Sequence, residues 1–138
     1  MSSPHRLLNP EGMPPPIGFS HVAIPARGQP VFVAGQTAHQ PDGTVAGETI
    51  AEQFAAAAEN VATALEAAGA APEHVVNLTI FVTDVDGYLE QLRPIGEAYR
   101  SVFGRHYPAM ALLGVARLFE EAAQVELVAT AVIPEEEV

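Results

Sequence analysis

Apolar positions along the chain switch between two periods, and the switches mark the elements. Over residues 48–68 (ETIAEQFAAAAENVATALEAA), Ile50, Phe54, Ala57, Val61, Leu65 and Ala68 recur every three or four residues, the stripe of a helix with one buried side. Glu48 and Glu52 complement the helix dipole at its start, and Gly69 suits the position just past its end. Residues 75–83 (VVNLTIFVT) are rich in β-branched and aromatic side chains and predict a strand. Asp84 then fits an N-cap. Helical spacing resumes over residues 86–103, with Leu92, Ile95, Tyr99 and Val102 on one side. Pro94 interrupts this pattern, because a mid-helix proline removes a hydrogen bond and clashes one turn back. The pattern therefore predicts a short turn before Pro94 and the main helix after it, closed by Gly104.

Strand patterns flank this middle section. Residues 19–26 and 30–36 read as two short strands joined in a hairpin by Arg27-Gly28-Gln29, and Pro41-Asp42-Gly43 as a turn. Residues 109–118 and 124–133 read as the last two strands, while the proline-rich residues 1–17 predict irregular chain. The order ββ-α-β-α-ββ predicts an α+β fold with two helices on one face of a mixed sheet. Yet the last strand is apolar on both sides: Val125, Leu127, Ala129 and Ala131 on one, Val128 and Val132 on the other. An uncovered apolar face needs a partner, and a closed homo-oligomer packing sheet against sheet is the natural solution.

Composition strengthens that expectation. The 138 residues suit one domain, 1–138. A 49% hydrophobic and 17% charged content is apolar for so short a chain. The net charge of −11 disfavours a nucleic-acid partner and an anionic membrane surface. With no cysteine, disulfides and thiolate nucleophiles are excluded. All six basic residues are arginine, so a lysine Schiff base is excluded too. The N-terminus lacks the long apolar core of a signal peptide, and no run of about 20 apolar residues exists to span a membrane. A cytoplasmic location is the expectation.

Few side chains then remain as candidates for chemistry. The histidines at 5, 21, 39, 74 and 106 form no HxH or HxxxH pair, so a metal site has no local signature. No phosphate-cradling glycine motif and no GxSxG elbow occurs. Asp84 and Asp86 read as helix-cap residues. Glu126 stands out, because its strand neighbours are apolar or small. It is either a solvent-facing or arginine-paired residue, or a partly desolvated carboxylate whose pKa rises toward the range a general acid/base needs. Gly35-Gln36 ends a strand where exposed amides and a missing side chain would let a ligand approach, or is an ordinary strand end. His39 and His106 are possible proton carriers or loop histidines.

These residues fall into a familiar order. GFS at 18–20, FVAGQ at 32–36, NVATALEAAG at 60–69, VVNLTIFVTD at 75–84, EAYRSVFG at 97–104, YPA at 107–109, VARL at 115–118 and VELVATAV at 125–132 together resemble the RidA (YjgF) family over nearly the whole chain. The resemblance implies a chorismate-mutase-like fold, with a mixed six-stranded sheet and two helices on one face. It also implies a barrel-like homotrimer with clefts between subunits. Family members hydrolyse reactive enamines and imines, such as 2-aminoacrylate, without metal or organic cofactor. By the same resemblance, Glu126 matches the glutamate that directs water, Gly35 and Gln36 match the backbone site, and Phe19 matches a pocket-covering tyrosine.

The departures concern polarity. Phe19 lacks the usual hydroxyl, Ala34 replaces a serine, and Gly96 falls where an asparagine often lies. The family's Pro-Ala-Arg is here Pro108-Ala109-Met110, so the arginine that grips a substrate carboxylate is absent. A charge-assisted contact of that kind is worth roughly 1.5–3 kcal/mol, about ten- to a hundredfold in affinity. Phe19, Met110 and Leu112 leave an apolar pocket that suits a neutral or cationic small molecule, unless Arg105 or Arg117 enters the cleft. Two functions follow as expectations. One is an enamine/imine deaminase with a substrate other than 2-aminoacrylate. The other is a trimer that binds a small ligand, or regulates, without catalysis.

Overall fold

A computed structural model describes residues 3–138. Its six strands are β1 (Arg6–Leu8), β2 (Val22–Ile24), β3 (Gly28–Gln36), β4 (Val75–Val82), β5 (Ala109–Gly114) and β6 (Val125–Pro134). Its helices are α1 (Ile50–Ala67), α2 (Val85–Glu90) and α3 (Leu92–Phe103). The α+β order is as expected, but the strands divide between two sheets. A mixed four-stranded sheet runs β3-β6-β4-β5, and β1 with β2 forms a separate antiparallel ribbon. In the larger sheet, β6 is antiparallel to both neighbours and β5 is parallel to β4.

The predicted hairpin between residues 19–26 and 30–36 does not form. β3 starts at Gly28 and pairs with β6 from Gly28↔Pro134 onward. Gly28 is a strand residue pressed against that partner: a Cβ built on it would overlap the Ile133 carbonyl. Such close backbone approach is a second reason for glycine in a strand, beside turning. β2 pairs instead with β1, inside the segment predicted to be irregular. His5 helps to hold that segment. It is buried, its Nε2 donates to the His74 carbonyl (2.8 Å), and its Nδ1 accepts from the Ala26 amide (3.0 Å).

α1 follows its predicted stripe. Ile50, Phe54, Ala57, Val61 and Leu65 are buried, whereas Ala68, the last residue of the predicted stripe, is exposed just past the helix end. A capping box starts the helix, with the Thr49 hydroxyl accepting from the Glu52 amide and the Glu52 carboxylate accepting from the Thr49 amide. Buried Gln53 ties α1 to the loop before β6. Its Nε2 donates to the carbonyls of Gly47 and Ala122, and its Oε1 accepts from the Gln124 amide.

Asp84 caps α2 by accepting from the Gly87 amide at 3.0 Å. The helical break falls at Gln91, three residues before Pro94, so there are three helices rather than two. Pro94 is the third residue of α3, where its missing N–H is one that the first turn leaves unpaired in any case. α1 and α3 cover one face of the sheet, over Leu78, Ile80, Val82, Val125, Leu127 and Ala129, which are all buried. By the strand alternation, Phe81, Leu113, Glu126, Val128 and Phe32 point to the other face, where Phe32 is 80% exposed.

Candidate functional site

On the helix side, a cavity of about 600 Å³ opens between β5, α2, α3 and residues 17–19. Met110 and Leu112 reach it from β5, because they share a strand face with Leu78 and Ile80 in the parallel register. Phe19 stands at its mouth, edge-on to His21 at 5.1 Å. Phe54, Tyr88, Tyr99 and Tyr107 make it strongly aromatic. Tyr99 is fixed in place: its ring stacks between Phe103 and Tyr107, and its hydroxyl donates to the His106 carbonyl at 2.6 Å. Burial pushes the Tyr99 phenol well above its ordinary range and raises that of Tyr88, so both stay neutral. The one charged side chain among the lining residues is Arg100 of α3.

On the opposite face lies a second group. Glu126 is partly buried and opposite Phe81 in the ladder. β3 bulges beside it: Val33 pairs with Ala129 and Gln36 with Leu127, so Ala34 and Gly35 together face only Val128. A bulge of this kind withdraws backbone groups from the ladder and re-aims the neighbouring side chains. The Glu126 carboxylate lies over Gly35, where a Cβ would stand 2.6 Å from Oε1 and 2.7 Å from Cδ. No hydrogen bond or ion pair engages that carboxylate among the described residues. Gln36 is occupied locally, donating to the Ala34 carbonyl and accepting from His39 Nε2 at 2.8 Å.

The fold is shared with known proteins. A family model described as Endoribonuclease L-PSP matches residues 12–133. This chain belongs to that family, also called YjgF/RidA/RutC. It is 35% identical to a RutC family protein of Pyrococcus abyssi over 109 residues, 78% of this chain and 82% of the relative. Among solved structures it is similar to the Rid family protein YyfB from Yersinia pestis, with a TM-score of 0.83 and 30% identity over 94% and 98% of the two chains. It is also similar to Escherichia coli TdcF, solved with bound serine, with a TM-score of 0.65 and 28% identity over 91% and 93%.

Within this Rid fold, the residues singled out in the sequence separate into three sets. Phe19, Met110 and Leu112 come together in the cavity. Gly35 and Glu126 meet on the opposite face, with Gln36 and His39 paired nearby. The third set is engaged elsewhere. His106 is buried and donates from Nε2 to the Val75 carbonyl at 2.7 Å, so it fastens the α3–β5 turn to β4. Arg105 is exposed and outside the cavity lining. Arg117 spends its guanidinium on the carbonyls of Leu118 and Phe119 in its own loop. Neither lines the cavity beside Met110 of the same chain. The residue that sequence reasoning passed over is Arg100, whose signal was a glycine four positions earlier on the same helix face.

Proposed function

We propose that this protein is a RidA-like hydrolytic deaminase of a reactive enamine or imine with an apolar body, working as a homotrimer. Each cleft would combine the Met110-lined cavity of one subunit with the Glu126–Gly35 face of its neighbour. The observation that carries this reading is Glu126, a carboxylate set over a glycine with no partner among the described residues. It lies on a sheet face that no helix covers. A strand carboxylate among apolar neighbours is costly to keep without a use.

The chemistry fits such a group. As a water oxygen bonds to the carbon of the protonated imine, the C=N π electrons move to nitrogen and Glu126 accepts one proton of the water, which leaves a neutral carbinolamine. The carboxyl then protonates the amine nitrogen, the carboxylate so regenerated takes the hydroxyl proton as the C=O forms and the C–N bond breaks, and that proton leaves with the ammonia as ammonium. An enamine enters the same route once it gains a proton on carbon. The amides around the Ala34-Gly35 bulge would orient the substrate. Met110 in the family's arginine position disfavours 2-aminoacrylate and small polar molecules of the kind seen in TdcF. RNA is a poor substrate for a chain of net charge −11, since like charge opposes a phosphate backbone.

The test is ammonia release from freshly generated imines with alkyl or aromatic side chains, comparing wild type with Glu126→Gln. The expected result is a loss of about a hundredfold or more on substitution, with an unchanged melting temperature. Equal rates in both proteins, matching the uncatalysed control, would rule out the enzyme. Saturable binding of the same compounds without turnover would favour a ligand-binding trimer.

A further inference from the structure

We infer that Arg100 makes this cavity a site for an apolar monocarboxylate, replacing from helix α3 the anion contact that strand β5 lacks at Met110. The inference rests on the cavity being the substrate side of the proposed cleft.

Three observations converge on Arg100. It is the only charged residue in the wall of a cavity of about 600 Å³ that is otherwise built of aromatic, aliphatic and glycine residues. Arg100 is exposed, as a residue at the mouth of a cavity is. It folds back over Gly96, one turn earlier, with Nη1 3.2 Å and Nη2 3.9 Å from where a Gly96 Cβ would stand. Any larger residue at 96 would occupy that space, so the glycine and the arginine act as a pair. Finally, the chain holds 17 Asp and Glu against six Arg, yet no ion pair or hydrogen bond engages the Arg100 side chain among the described residues. A guanidinium at the mouth of an aromatic cavity, with no protein partner among the described residues, is suited to a carboxylate whose tail enters the cavity.

A cation in the last turn of α3 also complements the helix dipole. That role accounts for a positive charge at this point. It does not account for the folding over Gly96, and Lys would serve it as well as Arg. The neutral or cationic ligand expected from sequence followed from the apolar set Phe19, Met110 and Leu112, without Arg100. With Arg100 at the rim, the polarity of the mouth reverses.

The experiment measures affinities of the intact protein for three probes with one tail: 3-phenylpropanoate, 3-phenylpropanamide and 3-phenylpropylamine. Wild type should bind the carboxylate about ten- to a hundredfold more tightly than the amide, and the amine most weakly. Arg100→Gln should remove this preference while leaving the amide affinity unchanged and lowering the melting temperature by no more than about 5 °C, the loss of one helix-dipole contact. Arg100→Lys should restore only part of it, because an ammonium lacks the bidentate fork. Gly96→Asn, which fills the cradle but keeps the arginine, should also reduce the preference. The inference is overturned if wild type binds carboxylate and amide equally, prefers the amine, or keeps its preference in Arg100→Gln. None of the probes contains an imine, so affinity is read apart from turnover. Arg100-dependent carboxylate binding without ammonia release would leave the inference standing and remove the deaminase reading. Turnover with no carboxylate preference would do the reverse.

Discussion

Gly35→Ala isolates the position of Glu126 from its presence. Gly35 does not have positive φ, so alanine adds no backbone strain, and the single consequence is steric. The new Cβ would lie 2.6 Å from Glu126 Oε1 and 3.1 Å from its Cγ. Ordinary contact needs about 3.5 Å, so the carboxylate must move by roughly 1 Å. What moves is the far end of a flexible side chain, and the cost to folding stays below about 1 kcal/mol. A shift of less than about 5 °C in melting temperature is therefore expected. Catalysis is far more sensitive, because a 1 Å misplacement of a reacting group costs about a hundredfold.

The assay is the rate of ammonia release on an apolar imine, read beside thermal melting of the same sample. The expected pattern is a rate lowered about a hundredfold with stability nearly unchanged. Combining the substitution with Glu126→Gln should add little, since both act on one group. Wild-type activity in Gly35→Ala with an intact fold would refute the reasoning, because the carboxylate would then not need its place over the glycine. Additive losses in the double variant would refute it as well, by assigning Gly35 a separate role.

Three further predictions concern assembly, specificity and pH. Under the proposed trimer, Phe32→Asp should give monomers by light scattering and abolish turnover, because burying one phenylalanine contributes about 1.5–3 kcal/mol per contact; an unchanged mass would remove the far face from the interface. Met110→Arg should raise activity on 2-aminoacrylate about tenfold or more; no gain in a folded variant would show that Phe19, Ala34 and Gly96 also set the preference. Burial holds the His106 imidazole below its ordinary pKa, so the unfolded chain takes up that proton first as pH falls. Stability from this group is complete above about pH 6.5 and declines from there toward the folded pKa. Urea denaturation at stepwise pH should show the decline, and His106→Gln should flatten it while costing about 1–3 kcal/mol at neutral pH through the buried contact to Val75.

How legible each feature was in the sequence depended on whether burial and period coincided. The α1 stripe, β4 and the alternation of β6 were readable because each buries one regular face. β1 was not, because three residues carry no period, and it is held by His5 reaching across to His74 and Ala26. Gly28 misled because glycine marks both turns and close backbone approaches, and only the register with Ile133 and Pro134 separates the two. The break at Gln91 was displaced toward Pro94 because a proline in a first turn has nothing to disrupt. Phe19, Met110 and Leu112 were found as a group through their motifs. Their separation from Glu126 depends on inter-strand register, which a linear pattern does not specify. Arg100 looked like one more solvated helix charge, and only its fold over Gly96 distinguishes it.

That separation bears on the whole reading. Neighbouring side chains on a strand point to opposite faces, so no rotamer carries Glu126 to the Met110 side of the same sheet. A single chain thus holds an aromatic cavity with one cation at its rim and, across the sheet, a carboxylate over a bulged glycine. The second group shares its face with Phe81, Val128, Leu113 and a phenylalanine that is 80% exposed. An apolar face of that kind is the signature of an interaction surface. In a closed assembly of identical chains, the partner's surface is this same chain's surface, so covering one subunit's Glu126 with a neighbour's cavity joins the two halves without any new residue. On this reading assembly supplies the catalytic site as well as burial, and dilution below the association threshold should extinguish turnover and carboxylate-dependent positioning of Glu126 together, while the affinity of the isolated cavity for its apolar tail survives.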